Sequence, residues 1–162
     1  MPAAPSAMSQ YNEIIEGRTL VRSRPGARHE KICARLHERV GAGLGGNVVA
    51  RLLGPRSPVP LSSRNLVRPD LAIVTAATGK VWLVVEVVDS ADHQADTVVK
   101  KTLYEEFKVP RLWMVDPRYD NVEIYQGTPH GLSLKGILAG REILQEALLP
   151  ALRMTVAELF EV

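Results

Sequence analysis

The most apolar run of the chain, "VWLVVEVVDS" at 81–90, carries a carboxylate, Glu86, in its interior. Alternation along a β-strand places Glu86 on one face with Trp82, Val84 and Val88, and the other face is apolar as well. A strand of this kind is expected to be buried on both sides. A buried carboxylate is paired, protonated or bound to a metal. Three interpretations follow: a structural ion pair with an arginine or lysine, a place near the exposed end of the strand, or a metal-binding or catalytic group.

A second carboxylate, Asp70, begins the preceding apolar segment "RPDLAIV" at 68–74. An aspartate after a proline is more often a turn residue than a ligand. If the two segments are adjacent strands, however, we expect the carboxylates of Asp70 and Glu86 to converge within about 6 Å, where like charges repel strongly. A hard divalent cation such as Mg²⁺ takes oxygen ligands of this type.

The segment "DHQADTVVKKTLYEEFK" at 92–108 predicts a helix that brings a cation toward these carboxylates. At 100° per residue, the apolar side is defined by Val99, Leu103 and Phe107. Lys100 lies within that arc and Lys101 lies outside it. Two interpretations of Lys100 remain open: its stem reaches along the surface to solvent, or its ammonium reaches Asp70 and Glu86.

Asp96, Lys100 and Tyr104 are four residues apart and form one stripe along the edge of the buried face of this predicted helix. Tyr104 in this stripe is expected to serve packing more than chemistry.

The remaining pattern supplies the elements that must position these residues. We expect a hairpin at 13–21 with Gly17 at the turn, a helix at 28–46, a proline-broken loop at 55–65 and a short closing helix at 155–162. Strands are expected at 47–54, 68–74, 80–88, 111–116, 122–126 and, as the last one, 131–138. The pattern predicts an α/β (α+β) fold, a mixed central sheet flanked by helices.

Composition restricts the class of protein. The chain has 162 residues, 46% of them hydrophobic and 23% charged, with a formal net charge of +2, which predicts one globular domain. We expect residues 1–10 to be a flexible tail and residues 11–162 to be that domain, cytoplasmic and without a membrane partner. The four histidines have no zinc-type spacing, and the lone Cys33 is expected to be a core residue.

Taken together, these residues resemble the PD-(D/E)XK nuclease superfamily, and in particular the Uma-two family, whose members are labelled restriction endonucleases. The matching segments are "NEIIEG" at 12–17 with Glu13, His29, "RPDLAIV" with Asp70, "VVEVVDS" with Glu86, the stripe of Asp96, Lys100 and Tyr104, "KVPRLWMVDP" at 108–117, and "LLPALRMTVAELF" at 148–160. The departures are Val88 at the usual lysine position, Asp89-Ser90-Ala91 in place of Ser-Pro-Ser, Lys108 in place of glycine and Leu112 in place of tyrosine.

The resemblance implies a restriction-endonuclease-like core with an N-terminal β-hairpin, and a Mg²⁺- or Mn²⁺-dependent endonuclease that hydrolyses phosphodiester bonds in nucleic acid, with DNA expected. Asp70, Glu86 and the carbonyl of Val87 would hold the metal ion, and Lys100 would orient water or offset charge on the phosphate. Glu13 would complete the metal shell or act through water, or it is a solvent-facing hairpin charge. The alternative function is a catalytically inactive nucleic-acid-binding or assembly module, and the oligomeric state, including a homodimer, stays open.

A histidine and four arginines have no assigned role in the chemistry. His29 is interpreted as a residue of the helix N-terminus. Four arginines on and around the long loop could contact phosphates or belong to ordinary solvated surface: Arg51, Arg56, Arg64 and Arg68.

Overall fold

The computed structural model describes residues 10–89 and 91–162, so the predicted tail at 1–10 lies almost wholly outside the described residues. The strands are β1 Tyr11–Ile15, β2 Arg18–Arg22, β3 Ala50–Leu52, β4 Val59–Ser62, β5 Asn65–Val67, β6 Leu71–Thr75, β7 Val81–Val87, β8 Arg111–Asp116, β9 Asn121–Thr128, β10 Gly131–Ala139, β11 Ile143–Glu146 and β12 Leu149–Thr155. The helices are α1 Ala27–Leu44, α2 Lys101–Glu106 and α3 Val156–Phe160, and a π-helical segment, Ala95–Lys100, leads directly into α2.

A six-stranded mixed sheet forms the centre of the fold, in the order β10-β9-β8-β7-β6-β3. Strand β7 pairs with β8 in parallel and with β6 in antiparallel orientation. A parallel pair needs a crossover connection, and the π-helical segment with α2 supplies it. The predicted α+β class, with a mixed sheet flanked by helices, is confirmed.

Strand β7 is buried on both faces, as its unbroken apolar run predicts. On one face Leu83 and Val85 belong to a core that includes Ile32 and Leu36 of α1. On the other face Val84 belongs to a second core, which Leu103 and Tyr104 of α2 share. Burial on two sides explains why the strand lacks the alternation of a half-exposed one.

The N-terminal hairpin is present as predicted. Glu16 and Gly17 both have positive φ, 51° and 78°, as a two-residue turn between twisted strands requires. The prediction of a loop at 55–65 is wrong, because β4 and β5 form a hairpin there that completes a four-stranded sheet in the order β2-β1-β5-β4. Pro60 is tolerated because β4 is an edge strand, whose outward N–H needs no partner.

The C-terminal part also differs from expectation. The segment at 131–138 is not the last strand, because β11 and β12 form a further hairpin, and Leu152 and Met154 of β12 pack in the core under α1. The short closing helix is confirmed as α3, and Thr155 with Glu158 forms its capping box. None of the helices in the described ranges is long and apolar enough for a bilayer crossing.

The second predicted helix begins as a π-helix, and this changes which residues face the core. Val99, predicted on the apolar side, is 42% exposed, so that part of the prediction is wrong. A π-turn holds more residues than an α-turn, so a wheel drawn at 100° per residue rotates Val99 too far inward. Leu103, one α-turn further along, is buried as predicted.

Candidate active site

Lys100 joins two acidic side chains inside the protein. Its Nζ atom lies 2.5 Å from Oε1 of Glu86 and 2.7 Å from Oε2 of Glu13. Glu86 is only 2% exposed, and Lys100 and Glu13 are fully buried. Lys101 instead places its ammonium over the ring of Tyr125, 4.5 Å from the centroid. The prediction that Lys100, and not Lys101, points toward Asp70 and Glu86 is confirmed for Glu86, whereas among the described residues no ion pair joins Lys100 to Asp70. The alternatives of a solvent-directed Lys100 stem, an exposed strand end at Glu86 and a solvent-facing Glu13 are wrong.

The ion pairs continue on both sides of Lys100. Arg22 of β2 contacts Oε1 of Glu13 at 2.7 Å and Oδ1 of Asp96 at 2.8 Å. At the other end, the hydroxyl of Tyr104 donates to Oε1 of Glu86 at 2.5 Å. We call this set the buried charge chain, and its members in order are Tyr104, Glu86, Lys100, Glu13, Arg22 and Asp96.

The buried charge chain joins Glu86 of β7 to residues from two elements far apart in sequence. Glu13 and Arg22 come from the N-terminal hairpin, and Asp96, Lys100 and Tyr104 come from the crossover that covers β7. All three crossover residues are fully buried, which agrees with the predicted stripe, although the π-helical segment sets its geometry. The N–H of Asp89 donates to the second oxygen of Asp96 at 3.2 Å and fixes that carboxylate at the start of the crossover.

Asp70 sits against the strand residue that follows Glu86. Its Oδ2 accepts from the N–H of Val87 at 2.8 Å, because the pairing of β6 with β7 ends at Leu71 and Val85 and leaves the peptide groups of Val87 without a strand partner on that side. The Nε2–H of His29 donates to the carbonyl of Val87 at 2.8 Å. Asp70 and the Val87 carbonyl are thus brought to one place, with Glu86 adjacent in the chain.

A cluster of three ligand types occurs beside Asp70. The ligand atoms of His29, Cys33 and Asp70 all lie within 4.8 Å of one another, although the spacing of the histidines in sequence gives no sign of it. Arg56 is inserted among them, with Nη2 3.2 Å from Nδ1 of His29 and 3.8 Å from Sγ of Cys33, and with Nε 3.1 Å from Oδ1 of Asp70. Burial raises the pKa of the Cys33 thiol far above its ordinary value. The guanidinium of Arg56 therefore supplies the positive charge in this cluster. The thiol of Cys33 stays protonated, and a protonated thiol is a poor ligand for a soft metal.

The electrostatics of the site are those of carboxylates held away from water. Burial raises the pKa of Glu86 to about 8, against the opposing effect of Lys100 and with further increases from Asp70, Asp96 and Glu13. Burial also acts to raise the pKa of Glu13, but Lys100, the N–H of Arg68 and Arg22 outweigh it, so that pKa is lowered. The pKa of Lys100 is raised, because its acidic neighbours outweigh the effect of its burial.

The donor set can be tested against a hard divalent cation by its chemistry. Four buried carboxylates face three buried cations at this site: Glu13, Asp70, Glu86 and Asp96 against Arg22, Arg56 and Lys100. With all seven groups ionised, the count leaves one negative charge in excess. Burial is the main cause of the raised pKa of Glu86, and Asp70, Asp96 and Glu13 raise it further. Asp70, Glu86 and the carbonyl of Val87 offer oxygen atoms only, which is the preference of Mg²⁺ and Mn²⁺. The residues fit such an ion.

Several residues of the site have roles that their sequence positions do not predict. His29 lies in the first turn of α1, as its interpretation as a helix N-terminal residue predicts. It is also buried and bonded to Val87, which its sequence position does not indicate. Arg56 is 3% exposed and contacts Glu30 as well as Asp70, so it is not a surface contact for phosphates. Tyr104 bonds directly to Glu86. Arg22 carries no local signal at all, because its partner Asp96 lies 74 residues away.

Comparisons with known proteins agree with one another. A family profile described as "Uma2: Putative restriction endonuclease" matches residues 4–157. No curated protein matches the sequence significantly. A solved structure described as a "putative nuclease belonging to DUF820 from Anabaena variabilis ATCC 29413" superposes with a TM-score of 0.75 at 13% identity, covering 92% of this chain and 89% of that one. At this identity the likeness shows a shared fold.

Proposed function

The chain belongs to the Uma2 family, described as restriction endonucleases, and we propose that it is a metal-dependent endonuclease that hydrolyses phosphodiester bonds in DNA. One observation carries the proposal: Lys100 is fixed on Glu86, and Asp70 is fixed on Val87, the next residue. Two carboxylates, a main-chain carbonyl and an ammonium are thereby held at one strand end. Their types are those that phosphodiester hydrolysis requires.

Each residue has a role that follows from its contacts. Asp70, Glu86 and the carbonyl of Val87 would hold Mg²⁺ or Mn²⁺, which when bound polarises the phosphate and lowers the pKa of a water. Lys100 would orient the attacking water or offset charge on the phosphate oxygens. Glu13 would help to keep that ammonium protonated and in place, since its Oε2 lies 2.7 Å from Nζ and its charge raises the pKa of Lys100.

We further propose that residues 11–162 act as one domain in the cytoplasm. The two cores share the strands of the central sheet, which supports a single unit. The one cysteine, Cys33, is a buried free thiol, and a chain without disulfides suits a reducing compartment.

A second candidate function is a nucleic-acid-binding or assembly module that retains this fold without catalysis. The observation that favours it is that both carboxylates already have a protein cation, Glu86 in Lys100 and Asp70 in Arg56. A buried ion-pair network of this kind is also compatible with a purely structural role.

A cleavage assay separates the two functions. Supercoiled plasmid, linear duplex, single-stranded DNA and structured RNA are incubated with the protein in Mg²⁺, in Mn²⁺ and in EDTA. The nuclease predicts metal-dependent cleavage of DNA that is lost in Glu86→Gln, which keeps the shape of the side chain. Glu146→Gln removes a largely buried carboxylate of β11 that pairs with Arg111, and it should cleave as the wild type does. Absence of cleavage under all conditions supports the second candidate.

A further inference from the structure

A cleft of about 670 Å³ opens at the far end of β7 from Glu86. It lies between the turn before Val81, strand β4 and the segment that connects α2 to β8. Val59 and Val109, which line it, belong to the same core cluster as Tyr104, so the cleft and the Glu86 carboxylate are on the same side of the central sheet. Five residues of strand separate Val81 from Glu86, which corresponds to about 17 Å.

The charged side chains of this cleft are all cationic. Arg51, Lys80 and Lys108 line it and are exposed, and its lining contains no aspartate or glutamate. No ion pair connects these three side chains to any carboxylate in the described part of the chain. Three cations on one concave surface without acidic partners attract an anion.

Lys108 occupies a backbone position that disfavours a side chain. Its φ is 56°, in the left-handed region where glycine is the favoured residue. Nothing in the packing requires a lysine there, because its side chain is exposed. A residue kept in a strained conformation, with its charge directed to a cleft, is an indication of function.

The uncharged walls of the cleft restrict what kind of anion fits. Phe107 lines it beside Lys108, and Leu61 and Val81 add apolar surface. Bases of a single strand stack on aromatic and apolar side chains while its phosphates meet cations, whereas a duplex hides the faces of its bases. An acidic peptide would use the cations but would leave the apolar walls uncovered.

From this cleft we infer that the protein has a second nucleic-acid contact, a groove for a single-stranded segment, formed by Arg51, Lys80, Phe107 and Lys108. The inference deepens the proposed function and rests on it, since the groove would hold a strand at about 17 Å from the site. It specifies a substrate with an unpaired segment, and it is a feature of the surface that is independent of the metal.

The test is the binding of labelled 12-nucleotide single-stranded DNA, measured by fluorescence anisotropy in EDTA, where metal-dependent cleavage cannot occur. The variants are Lys108→Gly and the double substitution Arg51→Ala/Lys80→Ala. Each removed cation should weaken binding about fivefold at about 0.1 M salt and lower the salt slope by about 0.7. Lys108→Gly should not lower the melting temperature, because glycine accepts this backbone conformation, so a loss of binding is not a loss of fold.

The control is Lys31→Ala, which removes an exposed cation from α1, on the other side of the sheet, and should leave binding unchanged. Phe107→Leu should weaken binding without changing the salt slope, since it removes stacking and no charge. Equal weakening by Lys31→Ala, tighter binding of duplex than of single strand, or displacement by a poly-glutamate peptide at equal charge would each overturn the inference.

The failure of this inference is distinguishable from that of the proposed function. Groove-dependent binding without cleavage in Mg²⁺ or Mn²⁺ would support the groove and contradict the nuclease. Metal-dependent cleavage with binding that is insensitive to the groove substitutions would support the nuclease and overturn the groove.

Discussion

The ammonium of Lys100 lies 2.5 Å from Oε1 of Glu86 with both side chains away from water. Both residues have a further partner: Lys100 also forms an ion pair with Glu13, and Glu86 also accepts a hydrogen bond from Tyr104. Removal of one charged residue from the buried charge chain therefore leaves its partners buried without their counter-charge. The free energy of unfolding of single variants can measure this effect.

Lys100→Met should destabilise the protein by about 3–5 kcal/mol at about pH 9, above the pKa of Glu86, because it leaves two ionised carboxylates, Glu86 and Glu13, buried without their shared cation. Lys101→Met is the matched control. It removes a neighbouring cation whose contact is the ring of Tyr125 and should cost about 1 kcal/mol or less. Urea unfolding of both variants measures the difference, and equal effects would contradict the central place of Lys100.

The stability of the metal-free protein should depend on pH through Glu86. Its pKa is raised from an ordinary value of 4.5 to about 8 in the folded state. Below pH 4.5 both states carry the proton and no penalty exists. Between pH 4.5 and 8 the unfolded state releases the proton and the folded state keeps it, so stability falls with rising pH, and the fall ends above pH 8.

Glu86→Gln should remove this component, and the free energy of unfolding of the variant should decrease less over that range than that of the wild type, by on the order of a few kcal/mol. Urea titrations in EDTA at several pH values measure both proteins. Identical pH profiles would show that Glu86 ionises in the folded state as it does in the unfolded one.

Divalent cations should stabilise the wild type and fail to stabilise Glu86→Gln or Asp70→Asn. A ligand that binds only the folded state adds about 2.7 kcal/mol at one hundred times its dissociation constant. Thermal melts with and without Mg²⁺ or Mn²⁺ measure the gain, and Glu146→Gln should retain it. A wild type that does not respond to either ion would favour the purely structural ion-pair network.

Arg22→Met should cost about 3–5 kcal/mol or prevent folding, because Glu13 and Asp96 lose their common cation inside the protein. The control is Arg28→Met. The ion pair of Arg28 with Asp120 is exposed, with 46% and 60% of the two side chains accessible, and such pairs contribute about 1 kcal/mol or less. Chemical denaturation compares the two, and a similar loss in both would show that burial of the Arg22 pairs adds nothing.

The parts of the fold that the sequence predicts are those with a strong local pattern. The apolar runs of β6, β7 and β8 and the turn at Gly17 indicate their structure without outside information. The hairpin of β4 and β5 is not predictable from the sequence, because the polar segment at 55–65 with its three prolines indicates a loop. Pro60 is acceptable in β4 because the pairing of β5 with β1 leaves β4 at a sheet edge.

In the candidate site too, the sequence predicts the features that depend on local spacing and does not predict those that depend on distant contacts. The spacing of Lys100 along its helix is local information and led to the correct orientation. The burial of Val99 is predicted wrongly, because the segment Ala95–Lys100 is π-helical and a wheel at 100° per residue does not describe a π-turn. The contact of His29 with Asp70 is not predictable from the sequence, because the two residues become adjacent only when α1 docks on the sheet. Arg56 lies in the segment between β3 and β4, and nothing local shows that this segment turns its side chain inward to Asp70.

The contact between Arg22 and Asp96 spans 74 residues, and this has a consequence for the time course of folding. Closing a long segment carries an entropic penalty that is recovered only when the ends meet. Until the N-terminal hairpin arrives, the crossover over β7 would have to bury Asp96 and Lys100 without two of their partners, which is unfavourable. Packing of the crossover against the sheet and docking of the hairpin are therefore expected to be one cooperative event. A chain in which Arg22 has not reached Asp96 has no assembled site.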